Sequence, residues 1–347
     1  MYFQSLYRAR INEWLEFIRQ ISGTRPVYGL VRRNSSLVYR RTPQPEETVL
    51  FEARPVEPLK LFFYFPSEKT ASLPEKPWGD EEQRILLGVK ACDLEALKTA
   101  DHIYRLGDAV EPRYFSRRSN TLLIGSDCTG PLSTCFCSLH GRMPYPRENF
   151  DLNLSPAGER DILIEVGTPK GGIFLDDFKP HLTEAGEHDL LERERIRQLC
   201  LTEVNRLNRL FVHGKPYSET VRKSGNAAVW KKFGQELCVQ CHACNLGCPT
   251  CYCFSFSDIS ENGGMVRYKN WDSCLTASFA RMASGATPRP ERWERFRYHY
   301  YHKFDFLNRE LGFDACTGCG RCIDGCLGKI DKRQVLCELE KEVYGQD

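Results

Sequence analysis

The sequence predicts an α/β N-terminal domain, with a mixed sheet holding at least one βαβ unit, followed by an α-rich C-terminal domain. Three observations predict it. RILLGVK (84–90) and TLLIGS (121–126) are buried-type strands on either side of a helix-length segment. Charged, helix-like text fills 187–211 and 217–236. After residue 237 the text is organised by cysteines: CVQCHACNLGCP and CTGCGRCIDGCL repeat one spacing, Cys-x-x-Cys-x-x-Cys-x-x-x-Cys. The short stretch VHGKPY (212–217) marks the boundary, giving domains of residues 1–215 and 216–347.

Taken in order, residues 2–21 place Leu6, Ile11, Trp14, Leu15 and Ile18 at helical spacing and predict an amphipathic first helix. From 24 to 80 the chain is Pro-rich, with β-like runs LVYRR, TVLFEA and LKLFFYF that read as strands between irregular loops. Strand 84–90 leads into the helix DLEALKTADHIYRL, for which Asp93 is the expected cap. Strand–helix–strand at this length implies a parallel pair. Both strands run into cysteines, Cys92 and Cys128, at the carboxyl edge where open α/β sheets bind ligands. Residues 151–168 read as a hairpin turning at Pro156–Gly158. Between Cys248 and Cys316 lie 67 residues, an insertion in which WDSCLTASFARM and RPERWERFRYHYYHKFDFLNRELG both look helical. A tail helix after 327 can dock through Leu336, Leu339 and Val343.

The bulk numbers exclude several function classes. A net charge of +2 with 27% charged residues makes no basic field for nucleic acid. The paired arginines (Arg32–Arg33, Arg40–Arg41, Arg117–Arg118) read first as solvated faces. No stretch approaches 18 apolar residues, and Arg8, Arg10 and Glu13 stand where a signal peptide would be apolar. Seventeen cysteines, an odd number, fit a reducing compartment that leaves thiols free for metal. A cytoplasmic protein is expected.

The repeated spacing is specific. A thiol every third residue wraps three corners of an iron–sulfur cube, and the fourth cysteine ligates the other cluster when two such runs face each other. The expected sets are Cys238, Cys241, Cys244 with Cys326, and Cys316, Cys319, Cys322 with Cys248: two [4Fe–4S] clusters in a bacterial two-cluster ferredoxin-like fold. Zinc is the alternative, but its sites usually separate two Cys pairs by a dozen residues or more. Gly318 and Gly320 let backbone N–H groups approach sulfide, with Arg321 and Lys329 adding positive charge. Pro249 follows one fourth cysteine; Leu327 replaces it after the other.

Nine cysteines remain. Cys92, Cys128, Cys135 and Cys137 are enough for a third cluster, for a zinc ion, or are inert buried thiols. Cys251, Cys253 and Cys274 are one ligand short of a cage, and histidine can replace cysteine on iron. His299 and His302 lie 25 and 28 residues beyond Cys274, so a three-cysteine, one-histidine fourth cluster is expected, with His302 preferred; the alternative has these side chains merely packing. Cys200 and Cys337 sit alone in helical text and read as small buried hydrophobes.

GVKACDLEALKTAD, SDC…CFC, VGTPKGG, CPTCYCF, NWDSC, RYHYYHKF and CTGCGRC occur in this order between about 84 and 330. Together they resemble the dicluster ferredoxin-type proteins found as the β subunit of cytoplasmic sulfhydrogenases, as an iron–sulfur component of anaerobic sulfite reductase, and beside heterodisulfide-reductase-like assemblies. The resemblance implies a non-catalytic relay. It would pass electrons between a flavin- and nucleotide-binding partner and another that holds a catalytic metal. It also implies metal at both extra cysteine sets.

Electron transfer within a multi-subunit oxidoreductase is therefore the expected function, and no GxGxxG fingerprint argues for a dinucleotide site in this chain. The alternative is an iron–sulfur enzyme that binds substrate at an auxiliary cluster of the N-terminal domain. A redox-sensing or structural iron–sulfur protein is the third class.

Overall fold

The computed structural model describes residues 5–74, 82–105, 110–261 and 263–345, and among these eleven strands and twelve α-helices follow one another. The strands are β1 (Leu6–Arg10), β2 (Val27–Arg33), β3 (Ser36–Arg41), β4 (Ser67–Leu73), β5 (Arg84–Val89), β6 (Thr121–Ser126), β7 (Leu152–Pro156), β8 (Asp161–Val166), β9 (Thr183–Glu184), β10 (Phe254–Glu261) and β11 (Gly264–Trp271). The helices are α1 (Ile11–Ile21), α2 (Ala91–Ile103), α3 (Pro112–Ser119), α4 (Pro169–Asp176), α5 (Glu187–Asn208), α6 (Tyr217–Lys223), α7 (Ala228–Lys231), α8 (Ala243–Leu246), α9 (Arg292–Tyr300), α10 (Leu307–Leu311), α11 (Arg321–Asp324) and α12 (Lys332–Tyr344). They form two compact units that are not two consecutive segments. The first takes residues 1–59, 81–207 and 317–319; the second takes 60–80, 208–316 and 320–347.

The first unit is built on an eight-stranded mixed sheet in the order β3-β2-β5-β6-β7-β8-β1-β9. Its centre is parallel: β2, β5, β6 and β7 run together, and β5 pairs with β6 across the α2 crossover. Every residue of β5 and β6 is buried, as continuous apolar runs require in a sheet covered on both faces. One core gathers Trp14, Leu15 and Ile18 of α1 against Ile85, Leu87, Ile124, Leu154 and Ile164, closed by Phe174 and Phe178. The hairpin expected at 151–168 is β7–β8, with Gly158 at φ 82 in its turn.

The second unit holds the antiparallel sheet β10-β11-β4 and helices α6 to α12. Leu336 and Leu339 are buried and dock the tail helix.

Several local expectations are corrected. The first helix starts at Ile11, because Leu6–Arg10 pair with β8 as a strand; residues 2–4 of that expectation lie outside the described residues. LKLFFYF is no strand: Leu59–Phe62 form a 3-10 turn that buries Leu59, Phe63 and Tyr64. TVLFEA contributes only one bridge, Val31 to Thr48. Asp93 does not cap α2, whose N-cap is Lys90; its buried carboxylate accepts the Leu59 N–H at 3.3 Å. The predicted end of that helix, Leu106, lies outside the described residues. The helix 217–236 is broken between α6 and α7 near Gly225, at φ 38. WDSCLTASFARM is not helical: Trp271 ends β11 and the rest is turns, and the hairpin β10–β11 precedes it.

Candidate metal centres

In the first cysteine repeat, Gln240 and His242 both adopt left-handed backbone, at φ 55 and 62, before the one-turn helix α8. That path turns the chain sharply enough for Cys238, Cys241 and Cys244 to face one cavity of about 460 Å³. Cys326 lines the same cavity, as does Cys322, with Leu275, Phe296, Tyr300 and Ile330 as apolar walls. The Ile330 N–H donates to Cys326 Sγ at 3.3 Å. Burial pushes the Cys244 thiol up to about 12 and raises Cys238 as well. Such thiols stay protonated unless a cation displaces the proton.

The second repeat follows the same path through Gly318 (φ 64) and Gly320 (φ 75) into α11. A Cβ on Gly318 would lie 2.5 Å from Cys137 N and Cα and from Phe136 O, so the position excludes any side chain. The close approach serves the loop of Cys135 and Cys137: Phe136 N–H donates to Gly318 O at 2.8 Å. Arg54 Nε donates to the Cys319 carbonyl.

That loop completes a second cavity, of about 390 Å³, within the first unit. Cys92 enters it from the first turn of α2, Cys128 from the end of β6, and Cys135 and Cys137 from the following loop; Cys319 stands in its wall. Burial pushes Cys128 up to about 11 and raises Cys137 well above the ordinary thiol value. Cys200, read from sequence as solitary, lies within electrostatic reach of Cys128, Cys135 and Cys137. The signal was one helical turn away: Arg197, on the same face of α5, pairs with Asp127 at 2.7 Å beside Cys128. Cys337 instead meets His213, its Sγ 3.5 Å from Nε2.

Cys251, Cys253 and Cys274 gather in the second unit. The Cys274 S–H donates to Cys253, holding that thiol down to about 6, and Cys251 donates to Cys248, which is lowered in turn. Asn245 Nδ2 lies 3.6 Å from both Cys253 Sγ and Cys274 Sγ, directly after Cys244 in the chain. The histidine beside Cys274 is His299, with Nδ1 3.6 Å from the sulfur; His302 turns its Nε2 to the Tyr252 hydroxyl at 3.3 Å.

Four buried lysines went unnoticed in the sequence, where lysine ordinarily reads as surface. Lys60, Lys90, Lys303 and Lys332 are 8%, 0%, 3% and 4% exposed. Lys269, also buried, pairs with Glu68 at 3.0 Å. Among the described residues no carboxylate pairs with any of the four. Lys90 Nζ donates to Leu50 O, Ser126 Oγ and Asp127 O, close to Cys128 and Cys92. Lys332 lines the first cavity, 3.2 Å from His299 Nε2 and 4.2 Å over the Tyr300 ring. Lys60 donates to Cys251 O at 2.9 Å, and Lys303 to Thr250 Oγ1 at 2.6 Å. Burial lowers Lys60 and Lys90 against the pull of nearby thiolates; at Lys303 burial is outweighed by Cys248, Cys251 and Cys316, which raise it.

A buried ammonium without a counter-ion costs several kcal/mol. Thiolate-ligated iron–sulfur clusters are net anions, so these lysines fit thiol sets that carry them. Among the described residues, no three Cys, His, Asp or Glu side chains converge as a single metal ion would require. Thiols around a cube stand apart at its corners, and that spacing also suits a cluster.

A family model described as a 4Fe-4S dicluster domain matches residues 237–330. The chain is also 28% identical to the sulfhydrogenase 2 subunit beta of Pyrococcus furiosus over 339 residues, covering 94% of this chain and 96% of that protein. Both findings support the dicluster ferredoxin-type resemblance and an iron–sulfur protein of electron transport with two [4Fe–4S] clusters. No helix among the described residues is long and apolar enough to cross a membrane.

Proposed function

We propose that this chain is the iron–sulfur relay of a cytoplasmic multi-subunit oxidoreductase of hydrogenase, sulfite reductase or heterodisulfide-reductase type. It takes electrons from a flavin- and nucleotide-binding partner and delivers them to another with a catalytic metal, or the reverse. The clusters supply one-electron chemistry; the chain supplies thiols, counter-charge and dry walls. The observation that carries this reading is the set of four buried lysines, each beside thiols and, among the described residues, none paired with a carboxylate.

In this reading Cys238, Cys241, Cys244 and Cys326 hold one cluster, and Cys248, Cys316, Cys319 and Cys322 the other. Cys92, Cys128, Cys135 and Cys137 hold a third. Cys251, Cys253 and Cys274 hold a fourth, with His299 placed to ligate or to hydrogen-bond it because of its contact with Cys274. Anaerobic EPR tests the relay. Dithionite should reduce the clusters, an added artificial acceptor should reoxidise them, and small substrates such as sulfite or polysulfide should leave the spectra unmoved. A spectrum that shifts on adding one of these substrates would instead mark a catalytic cluster.

A further inference from the structure

We infer that Lys60 and Lys303 make the centres ligated through Cys248 and Cys251 the highest-potential sites of the chain, where electrons collect. The inference rests on the relay reading and adds the order of its centres. Positive charge held in a low-dielectric interior stabilises an added electron, and net charge around a cluster is among the terms that set its potential.

The two ammonium groups bracket one short segment, residues 248–253. Lys60 Nζ is held by Cys251 O at 2.9 Å and Asn245 O at 3.5 Å, and lies 4.2 Å over the Trp271 ring. Lys303 Nζ is held by Thr250 Oγ1 at 2.6 Å, and that same oxygen lies 3.4 Å from Cys248 Sγ. Lys303 comes from the wide turn Tyr301–Phe306, which follows α9 and directs a lysine into the interior.

The other thiol sets have one lysine each, and each has something subtracted. Lys332 shares its charge with His299. Lys90 serves a set whose neighbours include the carboxylates of Asp93 and Asp127, the latter paired with Arg197. Two unopposed charges against one opposed charge decide the order. No bond is made or broken; an electron is simply held longer where the field is most positive.

The test is an anaerobic redox titration followed by EPR on the full chain, after iron and acid-labile sulfide have been counted. Cys251→Ser and Cys248→Ser identify which signals belong to these centres. Wild-type protein should show them reducing first. Lys60→Met and Lys303→Met should each move those midpoints downward at unchanged iron content, with the double variant moving further, while the Cys238 centre stays put. Lys332→Met should do the reverse. Midpoints unmoved in both single variants at full iron content would overturn the proposal, as would another centre reducing first. If a methionine variant loads no iron, the arginine variant decides: restored iron and midpoint support the charge, and no restoration contradicts it. A wild-type protein without iron would instead sink the relay reading itself.

Discussion

The two cysteine repeats trace one backbone path with different side chains, and the difference separates what the thiols demand from what the surroundings demand. In each, the third and fifth positions are left-handed: Gln240 and His242 in the first, Gly318 and Gly320 in the second. A one-turn helix follows, α8 or α11, and then a glycine, Gly247 or Gly325, before the fourth cysteine. The first repeat tolerates side chains at the strained positions and uses them, since Gln240 Nε2 donates to Leu275 O at 3.1 Å and His242 Nδ1 lies 3.4 Å from Thr276 Oγ1. The second cannot at Gly318, because backbone of the Cys135–Cys137 loop occupies the space. Left-handed backbone costs an ordinary residue about 1–2 kcal/mol. The turn is therefore imposed by convergence of the thiols, while glycine is imposed by close packing outside them.

The sharpest way to break this comparison is to remove a ligand. Cys238→Ser should lower the iron count by about four per chain and abolish one EPR signal, a cubane being lost whole. Cys337→Ser, at a thiol that meets His213 and stands outside both cavities, should leave the count unchanged. Next in size is the left-handed pair. Gly318→Ala should destabilise the chain by more than about 2 kcal/mol in chemical denaturation, combining backbone strain with the clash. Gln240→Ala, already left-handed and open, should cost less than about 1 kcal/mol. Equal losses would show that the two positions are alike after all.

A pH series sharpens the role of burial. In the metal-free chain, Cys244 and Cys128 titrate at about 12 and about 11, above the ordinary thiol value of 9.0. A pKa raised on folding gives stability that is complete below the unfolded value and lost as pH rises through the folded one. Metal-free protein should thus lose stability from about pH 9 to 12 in thermal melts, and cluster-loaded protein, whose thiols are already deprotonated, should lose none from this source. The smallest effect expected is local: His299→Ala should alter the signal of the centre holding Cys274, and His302→Ala should not.

Much of this was legible because metal ligation leaves a strict spacing. Cys238, Cys241, Cys244 and Cys326 line one cavity, and the four cysteines read from strand ends and the CFC pair line another. The parallel pair β5–β6 was equally plain, since both strands are apolar on both faces. The misses have physical causes. LKLFFYF carries no partner strand, so apolarity alone could not make it one. The hairpin β10–β11 was overlooked although Asn-Gly joins its alternating strands, because the cysteines drew the eye toward helices. His302 was preferred over His299 on spacing, and only the turn of α9 decides which ring meets Cys274. The four lysines were invisible because their counter-ions are not amino acids.

The most direct test is a count of iron and acid-labile sulfide on protein purified without oxygen. Two filled ferredoxin-type sites require about eight of each per chain, and four filled sites about sixteen. The account predicts the higher figure with a brown, reducible sample. A colourless, iron-free protein that folds normally would contradict it outright.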